Sequence, residues 1–169
     1  MAETVLNGRA ALVTGANSGI GRATALALGA AGARVMVNYF DDPEAAEEVV
    51  EAIRSAGSEA VAHQADVGDE DAVQEMVARA IEAFGTLDIL VNNAGIQMDA
   101  DFIEMSADDW DAVIGTNLRG AFLCSREAAR HFCRRDRDRS DDNDSSQNGA
   151  IIFISSVHDA IPWAGHANY

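Results

Sequence analysis

Gly15, Gly19 and Gly21 follow an apolar run, Ala10-Ala-Leu-Val13, and Thr14, and they lead into a stretch rich in alanine and leucine. Glycines at this GxxxGxG spacing suit one kind of chemistry. Without a β-carbon the backbone can turn tightly and approach a pyrophosphate, whose charge is met by N–H groups at a helix start. Residues 10 to 21 therefore read as a buried strand, a phosphate-cradling turn and the opening of a helix, the first β-α unit of a dinucleotide-binding fold. Ala23, Ala27 and Ala30 recur at helical spacing and are expected to let that helix lie close on a sheet.

Such a turn works only if a sheet carries it, and the remaining sequence supplies one. At 169 residues and 48% hydrophobic content the chain suits a single domain with one core. Arg34 to Tyr39 reads as a second strand. Asp42 and Pro43 then start a helix with an apolar stripe of Ala46, Val49, Val50 and Ile53, stopped by Gly57. Residues 59 to 65 form a third strand ending at Asp66-Val67. Val73, Met76, Val77, Ala80, Ile81 and Phe84 share one face of the next helix, which Gly85 ends.

Leu87 to Val91 is a fourth strand, running into Asn92-Asn93-Ala94-Gly95. Ser106 with Asp109 resembles a capping box, and helix is expected from there to about Arg135, in two pieces, with Leu118, Phe122, Ala129 and Phe132 buried. Residues 136–148, with five acids and two arginines, read as a solvated acidic loop, and Ala150 to Ile154 as a core strand. Apolar strands alternating with helices imply an α/β, Rossmann-type, doubly wound parallel sheet in the order 3-2-1-4-5. A ligand is expected at the carboxyl ends of strands one and four.

The composition narrows the partners. A formal charge of −16, from 28 acidic residues against 12 basic ones that are all arginine, repels nucleic acid phosphates and anionic membranes. No apolar run reaches the ~18 residues of a membrane span, and the first eight residues lack the pattern of a signal peptide. A cytoplasmic protein is expected. Cys124 and Cys133 lack metal-ligand spacing and read as reduced, structural thiols, and no metal is expected.

Thr14-Gly15-Ala-Asn-Ser-Gly19-Ile-Gly21, Asp66-Val67, Asn92-Asn93-Ala94-Gly95, Asn117, and Ser156 thirteen residues before Tyr169 together resemble the short-chain dehydrogenase/reductase family. The resemblance spans nearly the whole chain. It implies a Rossmann fold, a nicotinamide cofactor, and reversible oxidation of an alcohol to a carbonyl. Gly15, Asn17, Ser18, Gly19, Ile20 and Gly21 would then hold the pyrophosphate side, with Tyr39 and Phe40 also at the cofactor. Asp66 and Val67 would bracket adenine, and Asn93, Ala94 and Gly95 would support the adjoining ribose. The local alternatives are a helix cap for Asp66 and a plain strand-ending turn for residues 92–95.

The same resemblance makes Tyr169 the base, Ser156 the group that hydrogen-bonds the substrate oxygen, and Asn117 the anchor of a proton-relay water. A phenol ordinarily titrates near 10, so it needs a nearby cation to act at neutral pH. The family's cation is a lysine four residues after the tyrosine, at position 173, so the chain is expected to be the first two-thirds of a longer enzyme, without the family's last strands and inactive by itself. The longer form is expected to be a homo-oligomer, a dimer or tetramer. Ser18 and Phe40 stand where NADP-specific members carry a cation, and Asp41 and Asp42 lie nearby, which favours NAD over NADP. Ser155-Ser156-Val157-His158 and Ile161-Pro162-Trp163 resemble glucose 1-dehydrogenase-like members, which suggests a sugar among small-molecule substrates and places His158 and His166 near the pocket. The alternative class is a nucleotide-binding regulator that keeps the fold without the chemistry.

Overall fold

The computed structural model describes residues 4–138, 149–157, 160–161 and 163–169. Five strands, β1 (Ala10–Val13), β2 (Arg34–Tyr39), β3 (Ala60–Gln64), β4 (Ile89–Asn92) and β5 (Ala150–Phe153), form one sheet in the order β3-β2-β1-β4-β5. Every neighbouring pair is parallel. Helices α1 (Gly19–Ala30), α2 (Pro43–Ser55), α3 (Glu70–Phe84), α4 (Ala107–Val113) and α5 (Ala121–Asp138) complete the fold, with a π-helical turn, Ile114–Gly120, between the last two. The expected strand order is thus observed.

The strands are apolar on both sides because both sides are covered. Ala10, Leu12, Met36 and Leu90 face one core with α3 and α5, while Ala11, Val13, Val35, Val37, Ile89 and Val91 face the other with α1 and α2. The helix boundaries follow from local chemistry. The Asp42 carboxylate accepts from Ala45 N at 3.0 Å ahead of Pro43, and Asp69 accepts from Asp71 N and Ala72 N at 2.9 and 3.1 Å. Gly85 ends α3 at φ 74°, where a β-carbon would be strained. Asp69, not Asp66, is therefore the cap of α3.

Three expectations need correction. In α1 the residues on the sheet are Gly21, Ala25 and Gly29, while Ala23, Ala27 and Ala30 are exposed. The inner ridge is chosen by close approach: a β-carbon on Gly29 would lie 2.7 Å from Ile53 Cγ2. In α5 the buried residues are Leu123, Cys124, Ala128 and Phe132, with Leu118 and Phe122 exposed. Gly120 sets that phase, because a β-carbon there would lie 2.7 Å from Val67 Cγ2, and Gly120, Cys124, Ala128 and Phe132 form a single i, i+4 ridge. Helix α5 continues to Asp138, so residues 136–138 are helical and not loop, and 139–148 lie outside the described residues. Strand β5 occupies the sheet edge that the order 3-2-1-4-5 requires, with Ile152 and Phe153 exposed. Cys124 is buried and its thiol is pushed up to about 12 by burial, whereas Cys133 is exposed.

Below the sheet, His131 Nε2 accepts from Leu87 N at 3.2 Å, tying α5 to the entry of β4. Burial holds its pKa below the ordinary histidine value, with Arg135 and Arg134 adding to the effect, and burial likewise lowers His63. With a folded-state pKa below the unfolded one, the unfolded chain takes up protons first. The stability is therefore full above the unfolded pKa near 6.5 and declines as pH falls below it. Denaturation midpoints at pH 7.5 and 5.5 are expected to show that decline, and His131→Gln to reduce it. An undiminished decline in the variant would rule out His131 as a source.

Candidate active site

At the carboxyl end of β1 the chain turns at Gly15 (φ 58°), and the turn is built from both sides. Gly15 N donates to Asn38 Oδ1 at 3.1 Å, and Asn38 Nδ2 reaches Ala65 O at 3.1 Å, so one buried amide ties the ends of β1, β2 and β3. From the other side, Asn93 Nδ2 donates to Thr14 O (2.9 Å) and Gly15 O (3.0 Å). Thr14 Oγ1 accepts from Asn93 N and Ala94 N at 2.9 and 3.0 Å. Residues 92–95 are therefore more than a strand-ending turn: they brace the glycine-rich one. Asn38 and Thr14 were not among the expected site residues; the available signal was a polar side chain inside an apolar strand or at its end.

A groove of about 580 Å³ opens over this turn. Gly15, Asn17, Ser18, Gly19 and Ile20 form one wall, with Phe40 and Asp41 beyond β2, Asp66 and Val67 beyond β3, and Asn93, Ala94 and Gly95 beyond β4. Gly21 lies beneath, buried, where a β-carbon would overlap Gly15 O and Asn93 Nδ2. Ser18 occupies the cap position of α1 in extended conformation but makes no side-chain capping bond, and the first turn carries no acid, which leaves the positive helix end facing the groove. Tyr39 departs from expectation: it is half-buried and packs against the core under α1 and α2 instead of lining the groove. Asp66 Oδ1 accepts from Gly68 N at 2.8 Å, which fixes its carboxyl at the groove wall.

A second cavity of about 420 Å³ adjoins the first and shares Ile20, Asn93, Ala94, Gly95 and Ile96 with it. Its remaining wall brings together Asn117, Ser155, Ser156 and Tyr169, so all three expected catalytic residues meet at one end of the groove. Asn117 comes from the π-helical turn, and its amide holds both main-chain groups of Ile96: Oδ1 accepts from Ile96 N at 2.8 Å and Nδ2 donates to Ile96 O at 2.9 Å. Ser156 follows β5. Tyr169 is delivered by a loop docked on residues 98–100, through Asn168 Nδ2 to Met98 O and Ala100 N to Gly165 O, both 3.0 Å. His166 stands 2.9 Å from Asp99 and is not among the cavity-lining residues, while His158 lies outside the described residues.

The model of the short chain dehydrogenase family matches residues 9–169. The chain belongs to that family. Among curated relatives of this chain, a 3-oxoacyl-(acyl-carrier-protein) reductase of Synechocystis sp. is 42% identical over 98% of the chain. The corresponding reductase of Staphylococcus aureus is 44% identical over 95%. The chain spans 63% and 61% of the lengths of these two proteins. A solved short chain dehydrogenase from Mycobacterium avium superposes with a TM-score of 0.88 at 40% identity, covering 98% of this chain and 58% of the other. No helix among the described residues is long and apolar enough to cross a membrane.

Proposed function

We propose that this short-chain dehydrogenase takes part in hydride transfer between a nicotinamide dinucleotide and a small alcohol or carbonyl substrate. The observation that carries the reading is the nearness of the two spaces: the cavity lined by Ser156, Tyr169 and Asn117 shares Ile20 and residues 93–96 with the groove over the glycine-rich turn. The groove fits a dinucleotide. Gly21 lets α1 pack directly beneath the turn at Gly15, and the α1 N-terminus faces the place of a pyrophosphate.

When bound, the nicotinamide donates or accepts the hydride. The remaining work falls to the chain. Tyr169 Oη takes the hydroxyl proton of an alcohol, or returns one to a carbonyl, and Ser156 Oγ donates a hydrogen bond to the same oxygen as charge develops. Each end of the Asn117 amide holds Ile96, which fixes the loop after β4, and the capacity for a second bond at each end is what would anchor a relay water. The inactive-regulator alternative gains no observation of its own.

The reading extends to cofactor choice. Asp41 lines the adenosine end of the groove, whereas the Asp42 carboxylate is occupied as the cap of α2. A carboxylate at that rim disfavours a 2′-phosphate, so NAD is the proposed partner over NADP. The relatives' names bring a 3-oxoacyl thioester into consideration beside the sugar suggested by residues 155–163, and both belong in the substrate panel.

Titration calorimetry with NADH and NADPH tests the reading. Binding of NADH at least about tenfold tighter is expected, equivalent to ~1.4 kcal/mol, and Asp41→Ala is expected to narrow the gap. Absence of binding by either nucleotide sinks the function, and preference for NADPH overturns the cofactor choice alone.

A further inference from the structure

We propose that Asp99 and His166 form a latch that positions Tyr169. The latch joins two loops that the sheet does not join. One is the segment after β4, which shapes both cavities through Gly95, Ile96 and Gln97; the other is the segment that delivers the phenol. His166 Nδ1 stands 2.9 Å from Asp99 Oδ1. The imidazole side chain is only 12% exposed although its carboxylate partner is 53% exposed, so the ring is held inside while Asp99 reaches in from the surface.

On either side of this pair are the two loop-to-loop hydrogen bonds, Ala100 N to Gly165 O and Asn168 Nδ2 to Met98 O. Asn168, next to the phenol, is itself buried and also reaches Asp109 O at 3.4 Å. The imidazole is the middle ring of three. Trp163 lies 5.8 Å from it and Tyr169 6.4 Å, the latter edge to face. Fixing His166 from one side by a carboxylate fixes the wall against which the Tyr169 ring rests.

A single contact between two side chains at the surface contributes little stability by itself. Its consequence here is geometric. Tyr169 is about half exposed, so its position depends on its contacts within the loop rather than on burial in a core. A displacement of about 1 Å in a reacting group can cost two orders of magnitude in rate. His166 and Asp99 are thus positioning residues: neither lines the cavity or the groove, and they act through the phenol.

The kinetic part of this inference rests on the role proposed for Tyr169, so the test has two arms. In the first, amide hydrogen exchange is followed in the chain itself for the wild type, Asp99→Asn, His166→Ala and His166→Asn. Residues 98–100 and 165–169 are expected to exchange about tenfold faster in the first two variants, with β1 and β4 unchanged. Asparagine, whose amide can stand near the Nδ1 position, is expected to restore much of the protection. In the second arm, an enzyme of the relatives' full length carrying Asp99→Asn is expected to lose about tenfold or more in kcat with cofactor affinity preserved. Unchanged exchange in both Asp99→Asn and His166→Ala overturns the latch. Faster exchange with wild-type kcat overturns the positioning role. Loss of turnover already in the wild type condemns the reading of Tyr169 and leaves the exchange result standing.

Discussion

Gly21→Ala is expected to weaken nucleotide binding by about 100-fold or more and to lower stability, against the trend for glycine inside a helix. In an open helix position the added methyl group gains roughly 0.5–1 kcal/mol, because alanine surrenders less backbone freedom on folding. At Gly21 the same methyl would overlap Gly15 O and Asn93 Nδ2. Neither atom can give way freely, since Asn93 Nδ2 holds Thr14 O and Gly15 O while the adjoining Gly15 N–H donates to Asn38. The turn must shift or the bracing amide must leave. Overpacking of this kind costs about 1–3 kcal/mol, enough to reverse the sign. Gly115→Ala is the matched control, since no heavy atom lies within 4 Å of the place its β-carbon would take. Calorimetry with NADH and thermal melts on both variants decide the matter. A Gly21→Ala chain that binds and melts like the wild type would show that the turn is not a tight cradle.

That contrast also marks how far the sequence can be read. Strand order was legible because each strand is apolar on both faces and each is followed by a helix, a pattern few topologies satisfy. The glycine-rich turn was legible because tight turning and close approach limit the residue type. Helix phase was not legible in α1 and α5. Small residues stand on both sides of α1, and apolar residues on both sides of α5, so spacing alone admits two answers. Contacts that no periodicity contains chose between them, Gly29 against Ile53 and Gly120 against Val67. Strand β5 was legible both as a strand and as an edge: Ala150 to Ile154 is apolar throughout, and the order 3-2-1-4-5 puts it last, where residues 152–154 are exposed.

The site was legible as a set of residues and less so as a set of roles. Ser156, Tyr169 and Asn117 line one cavity, but the sequence did not say that the Asn117 amide also holds both main-chain groups of Ile96. Nor did it indicate that Asn38 holds three strand ends together, because a single asparagine in a strand carries no label for what it bonds. Both facts depend on which backbone groups lie nearby, and that is decided by the π-helical turn and by the register of β2 against β3.

The second large effect is expected at Tyr169. Tyr169→Phe in an enzyme of the relatives' full length is expected to lower kcat by about 10²–10⁴, the range for removing a positioned acid–base group, while NADH affinity stays within a few-fold. The ring remains available for its contact with His166, so what is lost is the hydroxyl alone. Ser156→Ala removes the other group directed at the substrate oxygen and is expected to cost about 10²–10³. The two should not be additive. If the phenol and the serine hydroxyl act on one oxygen, the double variant should be scarcely slower than Tyr169→Phe, since each group is effective only while the other holds that oxygen in place. Independent, multiplying losses would mean the two residues serve different atoms or different steps. A Tyr169→Phe enzyme within threefold of the wild type would remove the phenol from the chemistry and with it the reason for placing substrate in the cavity beside Ser156.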